Sequence, residues 1–366
     1  MRLNSVAGTY SLAAFSSLLF LPAFPPCSLW PLAFVCLAPL LYALRDVPLR
    51  IAFRLGGLFA FLFYVGLLHW IVFNPAVESW ARPLLYLGVG LIAAYLALFI
   101  AAAILIARWI TLRLKLPVWL VLPFAWTLAD YIRSLGIMGF PWGSIGYAAT
   151  RFLPAIQMAE LTGVWGLVFW MVLVNGILYC SIGRIVALIR ERRSPARSEW
   201  IGLNVGVLLF LFPVIGGQLR LRQVEPRIGD APRIKIALIQ GNIEQGLRWD
   251  REFQDFNWRT YRDLSRRAAN EHPGLIIWPE TAMPFYLRYQ DRYLSQMTGL
   301  VDEINTPILT GVPDFIQDYP SERISYYNSS FLFVPSLGLT GQYAKSHLAP
   351  FGERFPLKEH IPFIRN

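Results

Sequence analysis

The sequence predicts a membrane-embedded bundle of about seven helices followed by a smaller α/β domain. Three observations carry that prediction. The 366 residues are 55% hydrophobic and only 15% charged, against about 25% charged in ordinary soluble domains. The apolar excess lies mostly before about residue 218, in runs long enough to be membrane spans. Behind it, short strand-like apolar runs alternate with amphipathic stretches, the pattern of layered α/β structure. The expected domains are therefore 1–218 and 219–366, each long enough for a compact unit.

In chain order, candidate spans cover roughly 6–24, 28–44, 52–73, 83–107, 117–134, 163–189 and 200–217. The first two are short and interrupted by proline, so they could instead form one re-entrant hairpin. No A-x-A-like cleavage site follows the first run, which reads as a retained span and not a signal peptide. Arg45, Arg50 and Arg54 lie between spans two and three, Arg108, Arg113 and Lys115 between four and five, and Arg184 to Arg197 between six and seven. The positive-inside rule puts these loops and the N-terminus in the cytoplasm, and seven crossings then deliver the C-terminal domain to the outer side. The net charge of +10 is explained by such loop arginines. No basic run interleaved with aromatics, zinc-ligand spacing, P-loop or G-x-G-x-x-G is present, so no nucleic acid, metal or cofactor is expected. The loop at about 135–160, with its G-F-P-W-G-S-I-G-Y, reads either as an aromatic belt at headgroup level or as part of a lipid access site.

Leu219 to Asp230 reads as a polar link. Arg233 to Gln240 is a strand and Asp250 to about Asn270 a helix. Leu275 to Trp278 is a second strand, Asp291 to Glu303 a helix, and Pro307 to Gly311 and Tyr326 to Val334 two further strands, with a turn after Gly338. The run L-I-I-W-P-E (275–280) ends a buried strand on one carboxylate, Glu280, at the strand edge where clefts in α/β sheets lie. A carboxylate partly shut off from water there can act as a general base. Lys345, after a turn and before a Pro-rich loop, could set positive charge beside a developing oxyanion. Alone, either residue reads equally as ordinary surface charge, and Glu353 reads as a loop-holding residue. Cys27, Cys36 and Cys180 all sit in or beside apolar segments and read as small apolar filler.

Together these pieces are more specific. W-P-E-T (278–281) and Y-A-K-S-H-L-A-P-F-G-E-R-F-P (343–356), behind a polytopic membrane half, resemble the apolipoprotein N-acyltransferases, the membrane-bound branch of the nitrilase (carbon–nitrogen hydrolase) superfamily. F-P-W-G-S-I-G-Y (140–147), A-E-L-T-G-V-W-G (159–166) and Q-G-N-I-E-Q-G-L-R-W (240–249) extend the resemblance over nearly the whole chain. It implies an αββα nitrilase-like domain on the outer side of a bacterial inner membrane. It also implies a Glu–Lys–Cys triad, a phospholipid acyl donor, a cysteine thioester, and a diacylated apolipoprotein whose terminal amine accepts the acyl group. By matching motif, Glu280 is then the base, Lys345 the oxyanion stabiliser, Glu353 a second essential glutamate and Trp249 a loop residue near the acyl chain. The family's nucleophilic cysteine and eighth span lie beyond the lysine segment and are not among these residues, so the sequence reads as a C-terminally truncated, inactive piece with half a sandwich. A membrane-tethered amidase and a non-catalytic lipid- or lipoprotein-binding module are the alternatives.

Overall fold

The computed structural model describes residues 6–73, 80, 82–192, 194–243, 251–318 and 323–348. The chain divides into two compact units, Met1–Asp230 and Ala231–Asn366.

The first unit is helical: α1 (Val6–Phe20), α2 (Ala38–Ala43), α3 (Leu49–Leu68), α4 (Arg82–Leu114), α5 (Val118–Ile132), α6 (Leu153–Ile156), α7 (Ala159–Glu191) and α8 (Arg197–Asp230). All seven predicted apolar segments contain helix. By length and composition, Leu49–Phe73, Arg82–Leu114, Ala159–Glu191 and Trp200–Asp230 are long and apolar enough to cross a membrane. The helix α1 has 15 residues, about 22 Å at 1.5 Å per residue, short of a hydrocarbon core of about 30 Å. Small residues let α3 and α4 approach closely: a Cβ at Gly56 would come within 2.8 Å of Ile104 and 3.2 Å of the Ala101 backbone. Phe20 of α1 stacks on Phe63 of α3, ring centroids 4.2 Å apart.

Between α1 and α2 the chain runs through short 3-10 turns instead of one helix. Irregular backbone amid apolar helices must find its hydrogen bonds inside the protein. Buried Asn175 of α7 supplies them: its amide donates to Ala33 O and Met171 O, and its Oδ1 accepts from Leu37 N–H at 2.8 Å. The Ser16 hydroxyl donates to the Cys36 carbonyl.

One sequence expectation is corrected here. Residues 219–230, read as a polar link, are the last turns of α8. Seven of the eight residues in Q-L-R-L-R-Q-V-E are good helix formers, and polarity alone does not end a helix.

The second unit is a five-stranded sheet in the order β1 (Ile236–Leu238), β2 (Leu275–Ile277), β3 (Ile308–Asp318), β4 (Arg323–Val334), β5 (Gly338–Ala344). The first three strands are parallel and the last two antiparallel. Between the parallel strands run α9 (Gln254–Ala269) and α10 (Asp291–Ile304). Four elements differ from the sequence reading. β1 is shorter than expected, β3 and β4 extend into a long hairpin, and the turn foreseen after Gly338 is strand β5. G-L-T-G-Q-Y-A offers two glycines and little apolar character, so its strand state comes from pairing with β4 and not from its own propensity.

The core lies on one face of this sheet. Ile276, Ile308, Val312, Phe331 and Phe333 pack with Trp258 and Tyr261 of α9 and Met297, Leu300 and Val301 of α10, all buried. Strand alternation sends the neighbouring residues to the other face, where Ile236 and Leu238 are 44% and 76% exposed. Further along the β3–β4 hairpin, Tyr286 and Tyr289 pack onto Phe315 of that face.

Candidate active site

Glu280 is delivered by the end of β2. The Trp278 N–H makes the strand's last ladder bond, to Leu309 O at 2.9 Å. The Trp278 indole is buried, stacks on Tyr261 at 5.2 Å and donates to the buried Ser265 hydroxyl at 2.8 Å. Pro279 then fixes the exit, Ala282 N–H closes a turn onto Pro279 O at 3.2 Å, and Thr281 takes a positive φ of 55°. This turn lies against Gly311 of β3. A Cβ there would sit 2.6 Å from Glu280 Cα and 2.8 Å from Thr281 N, so only glycine leaves the carboxylate in place.

Lys345 follows β5 directly, its N–H bonded to Asn328 O at 2.8 Å, which extends the β4–β5 register by one pair. Asn328 and Lys345 therefore stand opposite each other on the sheet face away from the core, beside the W-P-E turn. The Lys345 ammonium donates to Glu280 Oε1 at 3.2 Å. The Asn328 side-chain amide donates to the same oxygen. Among the described residues no hydrogen bond engages Glu280 Oε2. A cleft of about 240 Å³ opens beside the pair, lined by Glu280, Gly311, Asn328, Ser330, Tyr343 and Lys345 among others.

The structure thus brings together two of the residues singled out from the sequence, Glu280 and Lys345, which are 65 positions apart. It corrects the expectation that Glu280 is partly shut off from water: its side chain is 59% exposed and that of Lys345 38%. Glu353 and Trp249 lie outside the described residues. Asn328 was missed. Y-Y-N-S-S reads as one more strand, and only the β4–β5 register shows that its amide meets Glu280. Cys27, Cys36 and Cys180 all fall in the helical unit; Cys36 is buried and Cys27 exposed.

The helical unit holds a different charged arrangement. The Arg133 guanidinium donates to Asp130 Oδ1 at 2.8 Å and to the carbonyls of Phe140 and Trp142 at 2.7 and 2.9 Å. The Ser144 hydroxyl donates to Asp130 Oδ2 at 2.7 Å, and the Tyr64 ring lies 5.7 Å from the guanidinium. These contacts hold the F-P-W-G-S loop in one conformation. Gly143 at φ 73° has no room for a side chain beside Tyr64 and Leu67.

Comparison with known proteins matches both units. Residues 16–177 match the family described as apolipoprotein N-acyltransferase N-terminal domain, and residues 235–362 that described as carbon-nitrogen hydrolase. Similar curated proteins include the apolipoprotein N-acyltransferases of Geobacter metallireducens, 37% identical over 97% of this chain and 66% of that protein, and Pseudomonas syringae, 33% identical over 92% and 63%. That of Chlorobaculum tepidum is 28% identical over 94% and 64%. The chain spans 63–66% of the length of these relatives.

Proposed function

The chain belongs to the apolipoprotein N-acyltransferase family, and from that premise we propose that it serves transfer of a fatty acyl group from a phospholipid to the α-amino group of a diacylglyceryl-cysteine at the start of an apolipoprotein. The observation that carries this reading is the Glu280–Lys345 contact at a strand edge, on the sheet face that bears the cleft.

The chemistry follows from two groups with opposite tasks. In the first half-reaction Glu280 takes the proton of a thiol, the thiolate attacks the ester carbonyl of the phospholipid, and a tetrahedral oxyanion forms. The Lys345 ammonium, already within hydrogen-bond reach of the carboxylate, turns its positive charge toward that oxygen. Collapse expels the lysophospholipid alkoxide, which receives the proton held by Glu280, and leaves an acyl thioester. In the second half-reaction Glu280 takes a proton from the attacking amine, Lys345 again holds the oxyanion, and the thiolate leaves as the amide forms. Asn328 keeps Glu280 Oε1 fixed through both steps, and Gly311 sets the depth at which the carboxylate sits. The thiol in this reading is the family's nucleophilic cysteine, which meets Glu280 from the sheet face that bears the cleft. The loop arginines support a cytoplasmic N-terminus and an outer, periplasmic position for the catalytic unit in a bacterial inner membrane.

The test is an assay of the enzyme bearing these residues, with phospholipid and a synthetic diacylated lipopeptide, read by mass spectrometry. The expected product is the triacylated peptide with one lysophospholipid per turnover. Hydrolysis of short amides without lipid, and no triacylated product, would replace this reading by an amidase.

A further inference from the structure

The sheet face that carries Glu280 and Lys345 changes chemistry along its length. Toward β1 it is aliphatic, with Ile236 and Leu238 exposed. In the other direction, one same-face pair beyond Pro313 and Asn328, Phe315 of β3 stands opposite Tyr326 of β4. Tyr286 and Tyr289, on the segment that leaves Glu280, close onto this pair. Tyr289 stacks on Phe315 with centroids 4.1 Å apart and planes at 15°, and its hydroxyl donates to Phe315 O at 2.8 Å. Tyr286 meets Phe315 edge-on at 4.9 Å and lies 6.2 Å from Tyr326. Tyr326 is 63% exposed and Tyr289 49%.

This wall is built of three phenols and one phenyl, locked to one another. An acyl chain is best lined by aliphatic side chains, and an anion needs charge. Tyrosine offers large, rigid, amphipathic contact area at low entropic cost, which suits a peptide of variable sequence. Spacing names the part of the peptide. Strands advance about 3.3 Å per residue, so the Phe315–Tyr326 pair lies about 7 Å along the sheet from the Pro313–Asn328 pair. An acceptor whose terminal amine reaches Glu280 and whose chain leaves extended puts its second and third following residues over the rings.

We propose that Phe315, Tyr326, Tyr286 and Tyr289 form a subsite for the peptide of the acceptor, just C-terminal to its lipid-bearing residue. This rests on the acyltransferase reading above. The test measures binding of two probes to the detergent-solubilised protein: a diacylglyceryl-cysteine amide without a peptide, and the same anchor carrying a four-residue peptide. The unaltered protein should bind the second more tightly. Tyr326→Ala and Tyr286→Ala should each weaken the peptide-bearing probe by about fivefold while leaving the bare anchor unchanged, and Tyr326→Phe should fall between. Tyr326 is exposed, and an unchanged unfolding temperature confirms that the variant folds. Equal loss on both probes, or no loss on either, overturns the subsite alone, as does equal affinity of the unaltered protein for both. If the unaltered protein binds neither probe, the acceptor reading falls and takes the subsite with it.

Discussion

The two units each hold a carboxylate and a cation in contact, under opposite conditions. In the helical unit, the side chains of Asp130 and Arg133 are both 1% exposed. Five contacts engage them: the ion pair, two loop carbonyls, a serine hydroxyl and an aromatic face. In the sheet unit, Glu280 and Lys345 are 59% and 38% exposed, and both donors fall on one carboxylate oxygen. A pair sealed from solvent meets no substrate and serves to hold structure. A pair open to solvent contributes little stability but can exchange partners with a substrate. The contrast separates a charge pair that shapes a loop from one available for chemistry.

The largest expected effect tests the sealed side. Removing one partner leaves an uncompensated buried charge, so Arg133→Met should cost about 3–5 kcal/mol, read as thermal unfolding in detergent micelles. The double replacement Asp130→Leu with Arg133→Met should recover much of that loss, because the orphaned charge goes too. A change below about 1 kcal/mol in the single variant would break the comparison.

The open pair should behave the other way. Glu280→Gln and Lys345→Met should each lower triacylated product by about 10²–10³-fold, equivalent to roughly 2.7–4 kcal/mol of barrier. Their unfolding should move by less than about 1 kcal/mol, as expected for an exposed ion pair. Gly311→Ala sharpens the point by moving Glu280 without changing it. The new methyl meets backbone at 2.6 Å, so the W-P-E turn must shift, with about 1–3 kcal/mol lost in stability and a parallel loss of transfer.

How much of this was readable in the sequence follows the same division. Glu280 and Lys345 stand out only when W-P-E-T and Y-A-K-S-H-L-A-P-F-G-E-R-F-P are read together, since alone each passes for surface charge. The helical unit is legible in its long apolar runs because membrane-length hydropathy is a strong signal. Asn328 is not, since its role depends on the register between β4 and β5, which no local pattern encodes. The extension of α8 through 219–230 was hidden by polarity, and the outer half of the β3–β4 hairpin by exposed positions that blur apolar alternation. The buried acid and arginine of the helical unit, Asp130 and Arg133, drew no reading from the sequence. Their pairing requires the F-P-W loop to fold back onto α5. Asn328→Ala tests the part that only register reveals. A hydrogen bond to a charged group is worth about 1.5–3 kcal/mol, and at an open site the low end applies, so transfer should fall about tenfold with little change in unfolding.

The smallest effect concerns a third arrangement, between the two extremes. Tyr293 of α10 donates its hydroxyl to Asp255 of α9 at 2.7 Å, and Arg292 reaches the same oxygen at 3.0 Å. The tyrosine hydrogen bond, then the neighbouring arginine charge, holds the Asp255 carboxyl below its usual range. Burial, then the bond to Asp255, pushes the Tyr293 phenol up to about 12. The signs follow. A depressed carboxylate adds stability that is present above its unfolded pKa, about 3.9, and is lost as pH falls through the folded value. A raised phenol retains its proton in the folded state, so its contribution is lost as pH rises from about 10 to about 12. Tyr293→Phe removes both ends of the bond. The variant should unfold more easily than the parent near neutral pH, and the difference should narrow below about pH 4 and again above about pH 11. Urea unfolding midpoints across that range provide the measurement. A pH-independent difference would mean that Tyr293 acts only through its ring, packed 4.6 Å from Phe285, and that the α9–α10 contact belongs with the sealed structural pairs.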